Sequence, residues 1–302
     1  MAMDQPRLLL HGRNGQVGWE LRRTLAPLAE VVAVDFPEVD FTRPESLRQW
    51  VRDTHPDIIV NAAAYTAVDK AEEEIELART INAEVPALLA REASALGGML
   101  VHYSTDYVYS GNKTEPYREE DPTGPLGAYG RTKLEGDLAV VTEGGPHLVF
   151  RTSWVYGIRG KNFLLTMMRL AKERPEIRVV DDQHGAPTWC RSIAESTVNA
   201  LKSILGQELN GPLEKAQEAA GVYHLTCGGE TTWCGFTRAI VEAMQLDNPP
   251  KVTPITTAEY PTPAKRPVNS VLDNSKLENA FGVRLPNWHD ALLNCLKESP
   301  AD

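Results

Sequence analysis

The sequence has few cysteines and no long apolar segment, and both absences narrow what the chain can be. Its 302 residues include four cysteines, none of which forms a C-x-x-C pair or stands near a cluster of histidines. Disulfide frameworks and zinc sites need such spacing, so we expect reduced thiols and no metal site. No stretch approaches the roughly 18 consecutive apolar residues of a membrane helix, and the amino terminus lacks a signal-peptide pattern. The sequence therefore predicts a cytoplasmic protein without a membrane partner.

Basic runs are also missing. Lys and Arg total 31 against 41 Asp and Glu, which gives a formal net charge of −10. A nucleic-acid-binding surface needs a basic patch or stripe, so we expect no nucleic-acid partner. The hydrophobic share of 42% and the charged share of 24% are typical of globular proteins, and the length suits one large domain or two modest ones.

Strand-like and helix-like segments alternate through the first half of the chain. Short apolar runs predict strands at Arg7–His11, Val31–Asp35, Asp57–Ala63, Met99–Ser104 and His147–Ser153. Helical patterns lie between them at Val17–Ala29, Pro44–Thr54, Ala78–Leu96 and Tyr129–Glu143. Continuous apolar strands separated by helices are typical of a parallel sheet that is covered on both faces. The pattern therefore predicts an α/β fold with a doubly wound parallel sheet.

The alternation weakens after about Tyr156, where Pro and Gly become frequent. Isolated strands are predicted at Gly221–Cys227, Lys251–Thr257 and Asn269–Asp273, and late helices at Ser275–Phe281 and His289–Lys297. We therefore expect a dinucleotide-binding Rossmann domain over residues 1–155. Residues 156–302 would mainly form a smaller substrate domain, with some segments returning to the first domain.

The first predicted strand leads into a glycine-rich loop with a G-x-x-G-x-x-G spacing at Gly12, Gly15 and Gly18. Between a strand and a helix, such glycines allow the backbone to approach a pyrophosphate, which binds at the amino end of the helix. We therefore predict that this loop binds a dinucleotide through Gly12, Arg13, Asn14, Gly15, Gln16 and Val17.

Two charged residues bear on which cofactor is bound. Asp35 ends the second predicted strand, where an acidic residue often binds the ribose 2′-hydroxyl of NAD. Arg13 lies inside the glycine loop, where it could pair with a 2′-phosphate or remain an exposed loop charge. Further on, Asp40 and Phe41 are predicted near the adenine, although Phe41 could equally belong to the core. The cofactor choice stays open, with NADPH as the first expectation and NADH as the alternative.

Two later segments predict the chemistry. Thr105 follows a predicted strand, and Tyr129 and Lys133 form a Y-x-x-x-K pattern on one face of a helix. An ammonium lowers the pKa of a neighbouring phenol from about 10, so that the phenol can exchange protons, while a hydroxyl holds the substrate carbonyl. Open α/β sheets bind ligands at the carboxyl ends of their strands. Together with the glycine loop, Thr105, Tyr129 and Lys133 predict a nicotinamide-dependent oxidoreductase.

Several longer stretches make the prediction more specific. They are GRNGQVGWEL (12–21), PDIIVNAAAYTAVDKAE (56–72), HYSTDYVY (102–109), YGRTKLEG (129–136), FRTSWVYG (150–157), DDQHGAPT (181–188) and YPTPAKRPVNS (260–270). Through these stretches nearly the whole chain resembles the dTDP-4-dehydrorhamnose reductases, a branch of the extended short-chain dehydrogenase/reductase family. The resemblance implies that NADPH or NADH reduces the C4 keto group of dTDP-4-dehydro-L-rhamnose to give dTDP-L-rhamnose.

The resemblance also implies roles for individual residues. Tyr129 would donate the proton, and Thr105 would bind the C4 oxygen. Lys133 would lower the pKa of Tyr129 and hold the nicotinamide ribose. Contacts along the cofactor would come from Ala62, Ala63 and Tyr65. The dTDP-sugar would contact Thr66, Val68, Asp106, Trp154, Gln183 and Arg266, although Trp154, in a predicted strand, could equally be a core aromatic.

Alternative functions stay open at this point. A nucleotide-sugar 4,6-dehydratase is disfavoured, because relatives of that kind place a Glu base after the Thr-Asp pair, where this chain has Tyr107. A nucleotide-sugar epimerase shares the same three catalytic residues and differs in retaining its NAD. The regulatory subunit of methionine adenosyltransferase resembles the same family. A non-catalytic NADP-binding subunit is therefore a third hypothesis for the function of this chain. The sequence leaves the oligomeric state open, and a homodimer is compatible with it.

Overall fold

The computed structural model describes residues 5–298. The strands are β1 (Arg7–His11), β2 (Glu30–Val34), β3 (Ile58–Asn61), β4 (Met99–Thr105), β5 (His147–Thr152), β6 (Val155–Tyr156), β7 (Glu176–Val180), β8 (His184–Gly185), β9 (Thr188–Trp189), β10 (Gly221–His224), β11 (Thr231–Thr232) and β12 (Lys251–Ile255). The α-helices are α1 (Gln16–Leu25), α2 (Pro44–Thr54), α3 (Ile75–Arg79), α4 (Val85–Ala95), α5 (Ala128–Glu143), α6 (Phe163–Glu173), α7 (Cys190–Leu205), α8 (Leu213–Glu218), α9 (Trp233–Ala243), α10 (Ser275–Phe281) and α11 (Trp288–Lys297). Single 3₁₀ turns cover Lys70–Glu72, Asp106–Val108 and Thr257–Glu259, and a π-helical turn covers Thr80–Glu84.

Six parallel strands form the main sheet in the order β10-β5-β4-β3-β1-β2. Strand β1 shows why its residues read as a continuous apolar run. Leu8 and Leu10 pack on one face of the sheet with α1 and α7, and Leu9 packs on the other face with α2 and α4. A parallel strand covered on both faces has no side that can be polar. The predicted doubly wound α/β fold is confirmed.

Strand β10 corrects one prediction for the second half of the chain. Gly221–Cys227 was expected to be an isolated strand, but Gly221–His224 pairs with β5 at the edge of the main sheet. Helix α7 likewise packs against α1 of the first half. The remaining strands of this half form two-stranded sheets, which pair β6 with β9, β8 with β11 and β7 with β12.

The segment Asn269–Asp273 corrects a second prediction, because it does not form a strand. Its backbone N–H groups bond in turn to different segments: Asn269 to the Gly111 carbonyl and Ser270 to the His184 carbonyl. Only single bridges result, between Tyr117 and Leu272 and between His184 and Asn269. A strand needs a run of such bonds to one neighbour, which this crossing segment does not have.

The predicted helix Ala78–Leu96 is interrupted, because the π-helical turn Thr80–Glu84 separates α3 from α4. The Asn82 side chain in that turn accepts from the Tyr65 N–H and donates to the Tyr65 carbonyl and to Thr132 of α5. The π turn thus ties the segment after β3 to the helix that carries Tyr129.

Within residues 5–298, the helices bear on membrane contact and the His, Cys, Asp and Glu side chains bear on metal binding. None of the helices there is long and apolar enough to cross a membrane. Across the same residues, no group of three or more His, Cys, Asp or Glu side chains is arranged to hold a metal ion.

Candidate functional site

A cavity of about 550 Å³, here called the strand-end cleft, opens at the carboxyl ends of the central strands. Its lining comes from the glycine loop, the ends of β2 to β5, the start of α5 and the loop before α6. The lining residues are Gly12, Asn14, Gly15, Gln16, Val17, Asp35, Phe41, Ala62, Ala63, Ala64, Thr66, Ile81, Tyr103, Ser104, Tyr129, Lys133, Thr152, Val155, Gly160 and Lys161. Most of the predicted cofactor residues therefore lie around one cavity.

The glycine loop is shaped to receive a phosphate group. Gly12 has φ +83°, and a Cβ atom there would lie 2.7 Å from the Ala63 nitrogen. A Cβ atom on Gly18 would lie 1.9 Å from the Gly12 carbonyl oxygen, so α1 packs directly against the loop. Gly15 precedes α1 without a side-chain cap, and the first turn of α1 has no acidic residue. The open N–H groups and the helix dipole suit the diphosphate of a dinucleotide.

Arg13 turns away from the strand-end cleft. Its guanidinium donates to the Ala33 carbonyl at 2.7 Å and pairs with Glu38 at 2.5 Å. Asp35 does line the cleft, and its carboxylate accepts from the N–H groups of Asn14 (2.9 Å) and Phe36 (2.8 Å). Of the two charged residues, Asp35 therefore lines the cleft, while Arg13 is held by Ala33 of β2 and by Glu38.

The other two residues predicted near the adenine separate in the structure. Phe41 lines the cleft and meets the buried His11 ring edge-on, with ring centroids 6.0 Å apart. Asp40 is turned towards its own loop, where it accepts from Thr42 and pairs with Arg43 at 3.0 Å. The structure therefore brings Phe41, and not Asp40, to the wall of the cleft.

Tyr129 lies in the first turn of α5, beside the end of β4. A Cβ atom on the next residue, Gly130, would lie 2.3 Å from the Tyr107 carbonyl oxygen, so α5 packs on the turn that follows Thr105. Desolvation raises the pKa of Tyr129 to about 12, and the Asp106 charge adds to this rise, whereas the hydrogen bond with Thr105 lowers the pKa. The Thr105 hydroxyl also donates to Asp106 at 3.0 Å and accepts from the Tyr107 N–H at 3.2 Å.

Lys133 lies one helical turn beyond Tyr129 and is buried. Its Nζ donates to the Tyr103 carbonyl at 2.6 Å and lies 3.3 Å from His102 Nε2. Burial lowers the pKa of Lys133 to about 8, while Asp137, a further turn along α5, acts to raise it. A proton can therefore be gained or lost at Lys133 near neutral pH.

A second cavity of about 630 Å³, here called the C-terminal cavity, lies beside the cleft. Gln183 and Arg266, both predicted to contact the nucleotide, line this cavity. The Arg266 guanidinium forms two bonds to Asp69, at 2.9 and 2.8 Å. Gln183 accepts from the Trp233 indole N–H at 3.2 Å. An arginine and an amide that face one cavity suit an anionic, hydrogen-bonding ligand such as a nucleotide.

Trp154 does not lie in a strand, which corrects the sequence-based expectation. It occupies the turn between β5 and β6 with φ +44°, a value that non-glycine residues seldom adopt. Its ring stacks on Trp233 with centroids 3.5 Å apart, and the indole covers Gly185 so closely that no Cβ atom would fit there. Through Trp233, Trp154 supports the wall of the C-terminal cavity.

The remaining predicted residues differ in position. Thr66 lines the strand-end cleft. Tyr65 bonds through its hydroxyl to Glu74 on the outer side, and Val68 lies in a turn whose N–H donates to the Thr66 carbonyl. Asp106 is buried behind Thr105, and burial raises the pKa of its carboxyl to about 6. The structure therefore does not bring Tyr65, Val68 and Asp106 to the lining of either cavity. Thr105 does not line either cavity itself and is linked to the strand-end cleft by its hydrogen bond with Tyr129.

Several site residues were missed from the sequence. Tyr107 lines the C-terminal cavity and meets Tyr129 edge-on, with ring centroids 5.6 Å apart. Its position two residues after Thr105 could have suggested it. Lys161 lines the strand-end cleft next to Gly160, and a Gly-Lys pair before a helix could have suggested that cation. Trp233 offered no comparable signal.

Several known proteins are similar to this chain in sequence and in overall structure. A family model for the RmlD substrate binding domain matches residues 6–300. The dTDP-4-dehydrorhamnose reductase of Burkholderia thailandensis is 49% identical over 97% of this chain and 98% of its own, and that of Escherichia coli K12 is 45% identical over 96% and 97%. The Bacillus anthracis dTDP-4-dehydrorhamnose reductase, solved with NADP, superposes with a TM-score of 0.87 at 34% identity and covers 98% of this chain and 100% of its own. Because these matches span nearly the whole sequence, the chain belongs to the dTDP-4-dehydrorhamnose reductase family.

Proposed function

We propose that this protein reduces the C4 keto group of dTDP-4-dehydro-L-rhamnose to give dTDP-L-rhamnose, with NADPH as cofactor and NADH as a usable substitute. The observation that carries the proposal is that Tyr129 and Lys133 line the same cleft as the glycine loop, while Thr105 forms a hydrogen bond with Tyr129. The family to which the chain belongs supports the same reaction.

The roles follow from the chemistry of each side chain. NADPH, when bound, supplies the hydride for C4. Tyr129 then donates its phenolic proton to the C4 oxygen, and Thr105, which bonds to Tyr129, holds that oxygen in place. Lys133 would bind the nicotinamide ribose and, when charged, would favour the phenolate that Tyr129 becomes.

The proposal also assigns the cofactor and the sugar to different halves of the chain. Residues 1–155 would bind the cofactor, and residues 156–302 would mainly bind the dTDP-sugar through Gln183, Arg266 and the C-terminal cavity. Strand β10 and helix α7 are among the segments of the second half that pack against the first.

A turnover assay tests the function. NADPH oxidation is followed with dTDP-4-dehydro-L-rhamnose as substrate, and the sugar product is identified. We expect stoichiometric formation of dTDP-L-rhamnose and no nicotinamide retained in protein that is purified and then denatured. One equivalent of tightly held NAD per chain would instead indicate an epimerase. NADPH binding without reduction of the keto-sugar would indicate a regulatory subunit.

A further inference from the structure

A row of buried polar side chains crosses the main sheet below the strand-end cleft. His11, Asn61 and His102 occupy matching positions on β1, β3 and β4, and Lys133 of α5 contacts His102. All four side chains are at most 1% exposed. Buried polar groups destabilise a protein unless they bond to one another. The hydrogen bonds among Asn61, His102 and Lys133 therefore indicate the role of this row of side chains.

Asn61 determines which nitrogen of His102 carries the ring proton. The Ala63 N–H donates to Asn61 Oδ1 at 3.3 Å, so the amide nitrogen of Asn61 faces His102 Nδ1, at 3.2 Å. Because an amide nitrogen can only donate, Nδ1 accepts and the ring proton lies on Nε2. Nε2 is the nitrogen 3.3 Å from Lys133 Nζ. A ring N–H directed at an amine stabilises the neutral amine relative to the ammonium ion.

We propose that His102 is a positioning residue for the reduction: its Nε2 holds the Lys133 amine at the wall of the cleft. By orienting the ring proton, Asn61 sets how readily that amine becomes charged. The inference rests on the proposed function, in which Lys133 serves Tyr129 and the cofactor ribose. It gives a role to two buried residues that bind neither ligand.

Other titratable groups also face Lys133 or His102. Tyr129 and Asp137 lie one turn to either side of Lys133 on α5, and Arg151 of β5 pairs with Asp137 at 3.0 Å. His11 of β1 lies beyond Asn61, and within residues 5–298 neither of its ring nitrogens has a hydrogen-bond partner. Burial and the Lys133 charge hold the pKa of His102 well below its usual value, so His102 stays neutral while Lys133 titrates. A change at His102 should therefore be seen as a change in the charge of Lys133.

The substitution His102→Gln tests the proposal. A glutamine amide can turn its oxygen towards Lys133, accept from the ammonium ion and raise the pKa of Lys133. Because the charged amine attracts the anionic cofactor, NADPH affinity should weaken as the pH rises through that pKa. We expect the midpoint of this loss to move up by about one pH unit, as a new hydrogen bond to a charged group predicts. The Kd for NADPH, measured by fluorescence titration across pH, reports this shift without turnover.

His147→Gln is the matched control. His147 is buried at the start of β5, and its Nδ1 bonds to the Gly145 carbonyl. The pH midpoint should not move in this variant. A folded His102→Gln protein with the parental midpoint would overturn the proposal, because a packing role alone leaves the charge of Lys133 unchanged.

A second variant covers the case in which His102→Gln does not fold. In Asn61→Asp a carboxylate accepts from Nδ1, the ring proton leaves Nε2, and the midpoint should again move upwards. An unmoved midpoint would overturn the proposal here too. Turnover by the parent protein separates the two proposals. If the parent reduces the keto-sugar but neither variant shifts the midpoint, only the role of His102 fails. If the parent does not reduce it, the reductase function fails, and the Kd profile still reports on His102.

Discussion

The strand-end cleft and the C-terminal cavity hold their charged groups in opposite ways. Lys133 lines the cleft and Asp106 lies behind it, and both are buried. Burial favours the neutral form of each side chain, lowering the pKa of Lys133 to about 8 and raising the pKa of Asp106 to about 6. At the C-terminal cavity, Arg266 pairs with Asp69 and Arg178 pairs with Glu259, and both of these carboxylates are more than 40% exposed. The cleft is thus suited to moving a proton, and the cavity to exchanging one anion for another.

The energies of the two arrangements differ accordingly. A solvent-exposed ion pair contributes about 0–1 kcal/mol. Because the Asp69 side chain is 41% exposed, water can solvate its carboxylate when Arg266 turns to an anionic ligand. A buried charge that loses its partner costs about 3–5 kcal/mol. Changes at the cleft should therefore have larger effects than changes at the cavity or at exposed pairs.

The largest effect is expected for Tyr129→Phe. The change removes one hydroxyl, so the fold and the Kd for NADPH should stay as they are, while the proton donor is lost. General acid catalysis contributes about a hundredfold to ten-thousandfold, and kcat should fall by that factor. Tyr223→Phe is the control, because Tyr223 is buried, its hydroxyl bonds to the Ala219 carbonyl at 2.8 Å and its ring lines neither cavity. Unchanged kcat in Tyr129→Phe would show that another group donates the proton.

Asp106→Asn should change how stability depends on pH. Below about pH 4 this carboxyl is protonated in both folded and unfolded chains. Between about pH 4 and its folded pKa of about 6, it is ionised only in the unfolded chain, so the free energy of unfolding falls as the pH rises. The parent should lose up to about 3 kcal/mol across this window relative to Asp106→Asn. Urea unfolding at several pH values measures the difference, and parallel curves would mean that Asp106 is already ionised when folded.

Arg266→Leu tests the cavity. If the guanidinium leaves Asp69 to bind the nucleotide, its loss should raise KM for the dTDP-sugar by about tenfold to a hundredfold, as expected for a hydrogen bond to a charged group. The Kd for NADPH should not change. Asp69→Asn releases the same guanidinium, so KM should stay equal or fall. A rise in KM in both variants would show that the pair with Asp69 is itself required.

Arg13→Ala should have the smallest effect. Arg13 lies in the glycine loop but forms a partly exposed ion pair, so the variant tests whether the exposure of a side chain, more than its nearness to the cleft, decides how much cofactor binding changes. The guanidinium is bonded to Ala33 and Glu38 and does not line the cleft. KM values for NADPH and NADH should change together, by less than about fivefold. A selective loss of NADPH affinity would show that Arg13 leaves Glu38 for the 2′-phosphate. Glu38→Gln, which frees Arg13, would then improve NADPH binding.

Much of the cleft could be predicted because a parallel sheet brings its strand ends to one edge. β1 and α2 match their predicted bounds. The loop after β1, the residues after β3 and the end of β4 accordingly reach the same cavity. Regular secondary structure fixes the Tyr129–Lys133 spacing in the same way. Side-chain directions were less predictable. Arg13 bonds to Glu38 instead of facing the cleft, and this choice depends on two loops meeting in space.

The C-terminal cavity could not be predicted in the same way, because its contacts join distant parts of the chain. Arg266 and Asp69 are 197 positions apart, and the stack of Trp154 on Trp233 depends on a turn with positive φ that no periodic pattern indicates. Helices α6, α7 and α9 were also not predicted from the sequence. Where short strands pair two at a time, a single sequence carries little information on which segments will meet.

The edge-to-face contact between Tyr107 and Tyr129 bears on the order of events in turnover. Tyr129 faces the strand-end cleft and Tyr107 faces the C-terminal cavity, so the two rings form one shared wall. Cofactor and sugar nucleotide would reach that wall from different sides, and both must be in place before the phenol can give up its proton. Steady-state kinetics should therefore be sequential, with double-reciprocal plots that intersect instead of running parallel.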